Sequence, residues 1–166
     1  MTRHVLGGYH RNVGDHQGVW LDDEQQLAWR AFLGSQARLL AELNRRLLEA
    51  SGLAIADYEV LVHLSEAHDQ KLRSFELADA MQWERSRLAH HLTRMTKRNL
   101  VVREPCEDDG RGSYVIATAA GRRALRRAAP HHAADVRELF VVPAGADLHL
   151  LVQLGARIDA AVRSGE

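Results

Sequence analysis

The 166-residue chain is expected to fold as a mainly α-helical protein with one small β-hairpin, an α+β arrangement. Three observations predict this. Apolar residues recur at helical spacing through most of the chain; near residue 101 the period changes once to short strand-like runs around a Gly- and Asp-rich tip. One short helix, WERSRLAHHLTRMTKRNL at residues 83–100, is divided, with Leu88, Leu92 and Met95 on one side and Arg87, His90, Arg94 and Lys97 on the other.

Taking the elements in order, residues 1–20 hold four glycines and no sustained periodicity, so they are expected to form an extended arm. A long helix starts near Asp22, carries Trp29, Leu33, Leu40, Leu43 and Leu47 on one face, and stops at Gly52. Asp22, Asp23 and Glu24 suit its positive N-terminal end. A second helix is expected from about Ala56 to Ala67, burying Tyr58, Leu61 and Leu64. A polar turn, HDQKLR, precedes Ser74, which is expected to cap the short helix FELADAMQ with Leu77, Ala78 and Met81 facing inward. The divided basic helix comes next.

VVREP, the turn CEDDGRGS and YVIAT then make a hairpin, or wing. Thr118 is expected to cap a helix, AAGRRALRRAAPHHAADVRELF, which Pro130 should kink or interrupt because it has no amide hydrogen. A last helix is expected after Pro143, with Leu148, Leu151, Leu154 and Ile158 as its apolar stripe. Two short helices around a tight turn, the second basic outside, followed by a wing, spell a winged helix-turn-helix. The expected organisation is the arm at 1–20 and a single domain at 21–166, with the winged unit at about 54–118. The helices at about 22–51 and 119–163 carry more apolar surface than so small a unit can bury, so they are expected to pair two chains.

Composition narrows the function. Apolar residues make up 46% of the chain and charged residues 27%, the balance of a globular protein. No apolar run is expected to approach the roughly 18 residues that span a bilayer, and the N-terminus has no hydrophobic segment, which predicts a cytoplasmic protein with no membrane partner. Cys106 is the single cysteine, so no internal disulfide can form. Formal net charge is zero, yet residues 84–103 hold six Arg or Lys against Glu84 alone. A basic patch on a neutral chain is the footprint of a phosphate-contacting surface, and double-stranded DNA is the expected partner.

The chain resembles the MarR family of bacterial winged helix-turn-helix regulators. The residues that carry the resemblance are GLAIADYEVLVHL at 52–64, SFELADAM at 74–81, WERSRLAHHLTRMTKRNLVVRE at 83–104 and DGRGSYVIATAAGR at 109–122. The Asp-x-Arg and Thr-x-x-Gly patterns of the wing are the most specific. Ala117 stands where the family usually has Leu, and Asn99 where it usually has Gly; Asn tolerates the left-handed conformation such a turn needs. The cysteine that peroxide-sensing members place in their first helix is missing. The resemblance implies a homodimer on a roughly palindromic operator, usually a repressor, often released by a small aromatic effector bound between the dimerisation and DNA-binding parts.

The expected DNA-contacting set is Ser74, Arg85, Ser86, Arg87, His90, His91, Arg94, Lys97, Arg98, Asp109 and Arg111. Residues early in the basic helix suit base edges, and Arg94, Lys97 and Arg98 suit phosphates. Arg98 has a surface ion pair as its alternative. Arg111 suits the minor groove, with Asp109 steadying its guanidinium. Trp20, Trp29, Phe32 and Tyr58 are candidates to line a ligand site, against packing as the plainer role. Neither cofactor nor metal is expected; among ten histidines, His63, His68, His131 and His132 would be the first metal candidates to test. An enzyme is not expected, since the chain shows no phosphate loop, paired-carboxylate motif or nucleophile–base constellation. The competing readings are a nonspecific or architectural DNA-binding or protein-contacting winged module, and a metal-responsive regulator.

Overall fold

The computed structural model of the chain describes residues 20–106 and 112–165. The arm at residues 1–19 lies outside the described residues. Contacts divide the chain into two units, Met1–Arg38 and Leu39–Glu166, and the long helix α1 (Asp23–Ser51) contributes to both. In the first unit Asp22 caps α1. Its Oδ1 accepts from the Gln25 amide at 2.8 Å while Gln25 Oε1 accepts from the Asp22 amide at 3.2 Å, a reciprocal pair that satisfies two otherwise orphaned donors. Trp20, Leu27, Trp29, Phe32 and Leu33 are exposed in this unit.

In the second unit α1 buries Leu43 and Leu47 and ends at Gly52, whose φ of +72° is the left-handed turn that glycine adopts without a Cβ penalty. Then follow α2 (Ile55–Glu66), β1 (Lys71–Arg73), α3 (Ser74–Ala80), α4 (Arg85–Lys97), β2 (Val101–Pro105), β3 (Ser113–Ala117) and α5 (Ala119–Val136). A π-helical turn (Arg137–Val141), α6 (Val142–Ala144), a 3₁₀ turn (Gly145–Asp147) and α7 (Leu148–Arg163) complete the chain. The sheet is antiparallel in the order β1-β3-β2, with Leu72 opposite Val115 and Arg103 opposite Val115 on the other side. Its core brings together Leu47, Val60, Leu61 and Leu64, Leu77, Leu88, Leu92 and Met95, Val101 and Val115, and Ala124 and Ala128. Burial of this many branched side chains, at about 1.5–3 kcal/mol each, holds the helices against the sheet.

Five expectations change. The stretch read as a polar turn contains β1, a three-residue strand with no alternation of its own, formed because β3 offers it a free edge. Ser74 does not cap α3: Arg73 occupies that position, its amide donating to Glu76 Oε2 at 2.9 Å, while Ser74 Oγ lies 2.8 Å from Ser113 Oγ and ties α3 to the wing. Pro130 does not end its helix. α5 buries Gly121, Ala124 and Ala128, and Pro130 is on the exposed side, where solvent can satisfy the carbonyl that a proline leaves free. The last helix begins at Leu148, because Gly145 takes φ +50° and Pro143 belongs to the short α6 before it.

The fifth change concerns apolar length. The helical run Ala119–Arg163 contains an 18-residue window with a mean hydropathy of 1.5, long and apolar enough to cross a membrane by length and composition, and none of the window is buried. Isolated polar residues interleave with the apolar ones along this stretch, which hides its length in the sequence. α7 buries none of its residues, and Leu150, Leu151, Leu154, Ile158 and Val162 are all exposed.

Candidate nucleic-acid interface

The candidate surface is built from the inside out. Leu88, Leu92 and Met95, at most 1% exposed, seat α4 in the core, and that seating turns Arg85, Ser86, Arg87, His90, Arg94 and Lys97 outward. The basic residues therefore share an exposed face, as the helical period predicts. Trp83, just before the helix, is partly buried, and the Arg87 guanidinium lies over its ring at 4.0 Å from the centroid. That cation–π contact restrains a long side chain which would otherwise sample many rotamers.

Two expected contacts leave this face. His91 is buried at 6% exposure, because on a helix it falls about 100° from His90 and turns toward α2. Its Nε2 lies 3.1 Å from Asp57 Oδ1, bent off the line of an ideal hydrogen bond, and its ring meets Trp83 edge-on. Arg98 donates to Asp57 Oδ2 at 2.6 Å and to the Gly52 carbonyl at 2.7 Å, so the ion-pair alternative is the one the structure shows. Asp57, the partner of both, drew no attention in the sequence. Burial would raise its carboxyl, but His91, Arg98 and the Ala54 amide together outweigh that and hold it below the ordinary carboxylate range. An acid near the start of a helix carries no signal of such a role until its partners from residues 91 and 98 are brought to it.

Between α3, α4 and the wing lies a cavity of about 310 Å³. Arg73, Arg85 and Arg103 line it over a floor that includes Phe75, Leu88 and Leu92. Arg73 and Arg103 are missing from the expected set: Arg73 because β1 was not foreseen, Arg103 because only its charge was counted. Asp109 and Arg111, at the wing tip, lie outside the described residues. The base of the wing is held by the Thr-x-x-Gly motif. Thr118 Oγ1 accepts from the Gly121 amide at 2.9 Å and lies 2.7 Å from the Asn99 carbonyl, to which it donates. Asn99 takes φ +56°, the left-handed turn expected there, and a Cβ on Gly121 would sit 2.1 Å from the Leu100 carbonyl oxygen. Only glycine admits that approach. Cys106 is buried where the wing begins.

Trp29 and Phe32 stack on one another, centroids 6.1 Å apart, and Trp20 is largely exposed. Tyr58 instead packs against His132 at 4.6 Å. His68 pairs with Asp69 in solvent, and His131 lines a shallow depression with Arg46 and Asp135. Among the described residues no group of three or more His, Cys, Asp and Glu side chains is placed to hold a metal ion.

A sequence profile described as the MarR family matches residues 51–112, from the end of α1 to the far side of the wing tip. No curated protein matches the chain. Among solved structures, AbsC, a MarR family transcriptional regulator from Streptomyces coelicolor, is 37% identical, with 89% of this chain and 99% of that chain covered and a TM-score of 0.79. Sco3205, a MarR family transcriptional regulator from the same organism solved in complex with DNA, is 35% identical, covering 85% and 89% of the two chains, also with a TM-score of 0.79. The transcriptional regulator PcaV from S. coelicolor, solved with its natural ligand, shares the fold at 23% identity, a TM-score of 0.67 and coverage of 86% and 98%.

Proposed function

The chain belongs to the MarR family of transcriptional regulators, and from that premise we propose that it is a sequence-specific DNA-binding repressor acting as a homodimer on a roughly palindromic operator. The observation that carries the reading is the outward face of α4. Arg85, Ser86, Arg87 and His90 occupy its first half, where side chains reach base edges in the major groove. Arg94 and Lys97 follow at phosphate height, and Arg73 and Arg103 add positive charge between the helix and the wing. Asp109 and Arg111 complete the set as the wing's reach into the minor groove. The DNA complex of Sco3205, a relative at 35% identity, supports the same use of this fold.

The organisation that goes with this reading is a winged unit at about 54–118, with pairing helices at about 22–51 and 119–163. A second copy of the chain covers the apolar face of α7, which supplies the burial that one copy lacks. A cytoplasmic location follows from the DNA partner. A small aromatic effector that releases the DNA completes the proposal, with Trp20, Trp29 and Phe32 as its candidate contacts. The natural ligand bound by PcaV is its support.

Hydroxyl-radical footprinting on the DNA upstream of the protein's own coding region tests this. A dimer with two recognition helices leaves two protected patches centred about 34–36 Å apart, one helical turn. A single patch, or protection spread without register, overturns the dimeric sequence-reading function and favours a nonspecific architectural module.

A further inference from the structure

Among the described residues, Asp57 and His91 are the buried charged or polar side chains, and neither faces outward. Their partners do. Arg94 Nη2 lies 2.9 Å from His91 Nδ1. An arginine can only donate, so Nδ1 must be the acceptor, and the imidazole proton sits on Nε2, the atom that faces Asp57 Oδ1 at 3.1 Å. Asp57 is itself fixed. It accepts from the Ala54 amide at 3.1 Å and from Arg98 at 2.6 Å, at 2% exposure, on a helix rooted by Val60, Leu61 and Leu64. Close contacts therefore run from the carboxylate on α2, past the imidazole, to the guanidinium on the exposed face of α4.

We propose that His91 is a positioning residue for DNA binding: seated between Asp57 and Trp83, it accepts from Arg94 through Nδ1 and aims that guanidinium at a backbone phosphate. The inference rests on the reading of Arg94 as a phosphate contact. It also divides the basic residues by job. Arg94 is held at the surface and remains free to donate outward through its other nitrogens, whereas Arg98 is committed inward to Asp57 and the Gly52 carbonyl. The gain from such an arrangement is preorganisation: an arginine held by one acceptor has less freedom to lose when it meets a phosphate.

Asparagine and glutamine separate the two ring nitrogens. His91→Asn keeps an acceptor near the position of Nδ1 and gives up the group that faces Asp57. His91→Gln keeps a donor near Nε2 and leaves Arg94 without its acceptor. The full-length wild type, both variants, Arg94→Ala and the His91→Gln, Arg94→Ala double variant are titrated with promoter DNA across a range of salt, after circular dichroism confirms that each is folded. Removing one phosphate contact lowers the magnitude of the logarithmic salt slope by about one unit. The expected result is that drop in Arg94→Ala, the same direction of change in His91→Gln, no further drop in the double variant, and a slope close to wild type in His91→Asn. A drop in Arg94→Ala with wild-type slopes in both His91 variants overturns the positioning role and leaves Arg94 as a phosphate contact. An unchanged slope in Arg94→Ala overturns that contact itself, and the positioning role goes with it.

Discussion

The winged unit and α7 are built from similar apolar side chains and end in opposite states. In α4, Leu88, Leu92 and Met95 are enclosed by α2, α3 and the sheet within one chain. In α7, Leu151, Leu154, Ile158 and Val162 recur at the same helical spacing and remain at 41% exposure or more. Sequence period alone cannot separate the two cases, because it reports that a helix has an apolar face and not whether the same chain covers it. The contrast divides the molecule by task. The first region closes its core within one chain beneath its basic face, and on our proposal the second is half of a core that another copy completes.

The sharpest test of that contrast pairs Leu92 with Leu154. Leu92→Ala empties space in a closed core and should cost about 2–5 kcal/mol of unfolding free energy in chemical denaturation. Leu154→Asp should leave the secondary structure of the chain intact while shifting the molecular mass measured by light scattering from two copies to one. Similar losses of fold from the two would erase the distinction.

Asp57 tests whether the winged unit is held together by polar as well as apolar contacts. Asp57→Asn should lower stability at pH 7 by on the order of 1–3 kcal/mol, the scale of hydrogen bonds to a charged group. The pH dependence has a defined sign. The folded carboxyl lies below its ordinary value of 3.8, so the unfolded chain binds more protons in that range. Its contribution is then present above the ordinary value and lost as pH falls through the folded one. The gap between wild type and Asp57→Asn should close in acid, and a gap that persists there would place the effect in packing.

The wing joint packs Gly121 against the Leu100 backbone, and Gly121→Ala examines it. The added methyl meets the Leu100 carbonyl, which is backbone and cannot rotate away, so a loss of about 1–3 kcal/mol is expected in thermal denaturation. On the reading face, Arg87→Ala should reduce discrimination between operator and random DNA by about 1–3 kcal/mol, provided Arg87 pairs with a base. Equal losses on both DNAs would assign it to the backbone. The smallest effect is expected at Arg98. Because that side chain is committed to Asp57, Arg98→Ala should leave the salt slope unchanged, and a loss of one unit would return it to the phosphate-contacting set.

The residues that the sequence revealed are those whose role is local. The split of α4 follows from a 3.6-residue period, the Thr118 cap from its offset to Gly121, and the Asn99 turn from the tolerance of Asn for positive φ. What stayed hidden depends on partners distant in the chain. β1 exists because β3 lies alongside it, and Ser74 bonds to Ser113 across 39 residues in preference to capping its own helix. His91 and Arg98 resemble the exposed basic residues of α4 when charge carries no direction; the structure turns both toward Asp57. The exposed apolar window near the C-terminus was missed for a related reason, since it is assembled from separated residues instead of one run.

The most direct test of the account is a titration of the purified protein against its own promoter region and against scrambled DNA of equal length, at near-physiological salt. A sequence-reading regulator predicts saturable binding to the promoter at least about a thousandfold tighter than to the scrambled duplex. Equal, weak binding to both would contradict the claim that the outer face of α4 reads sequence.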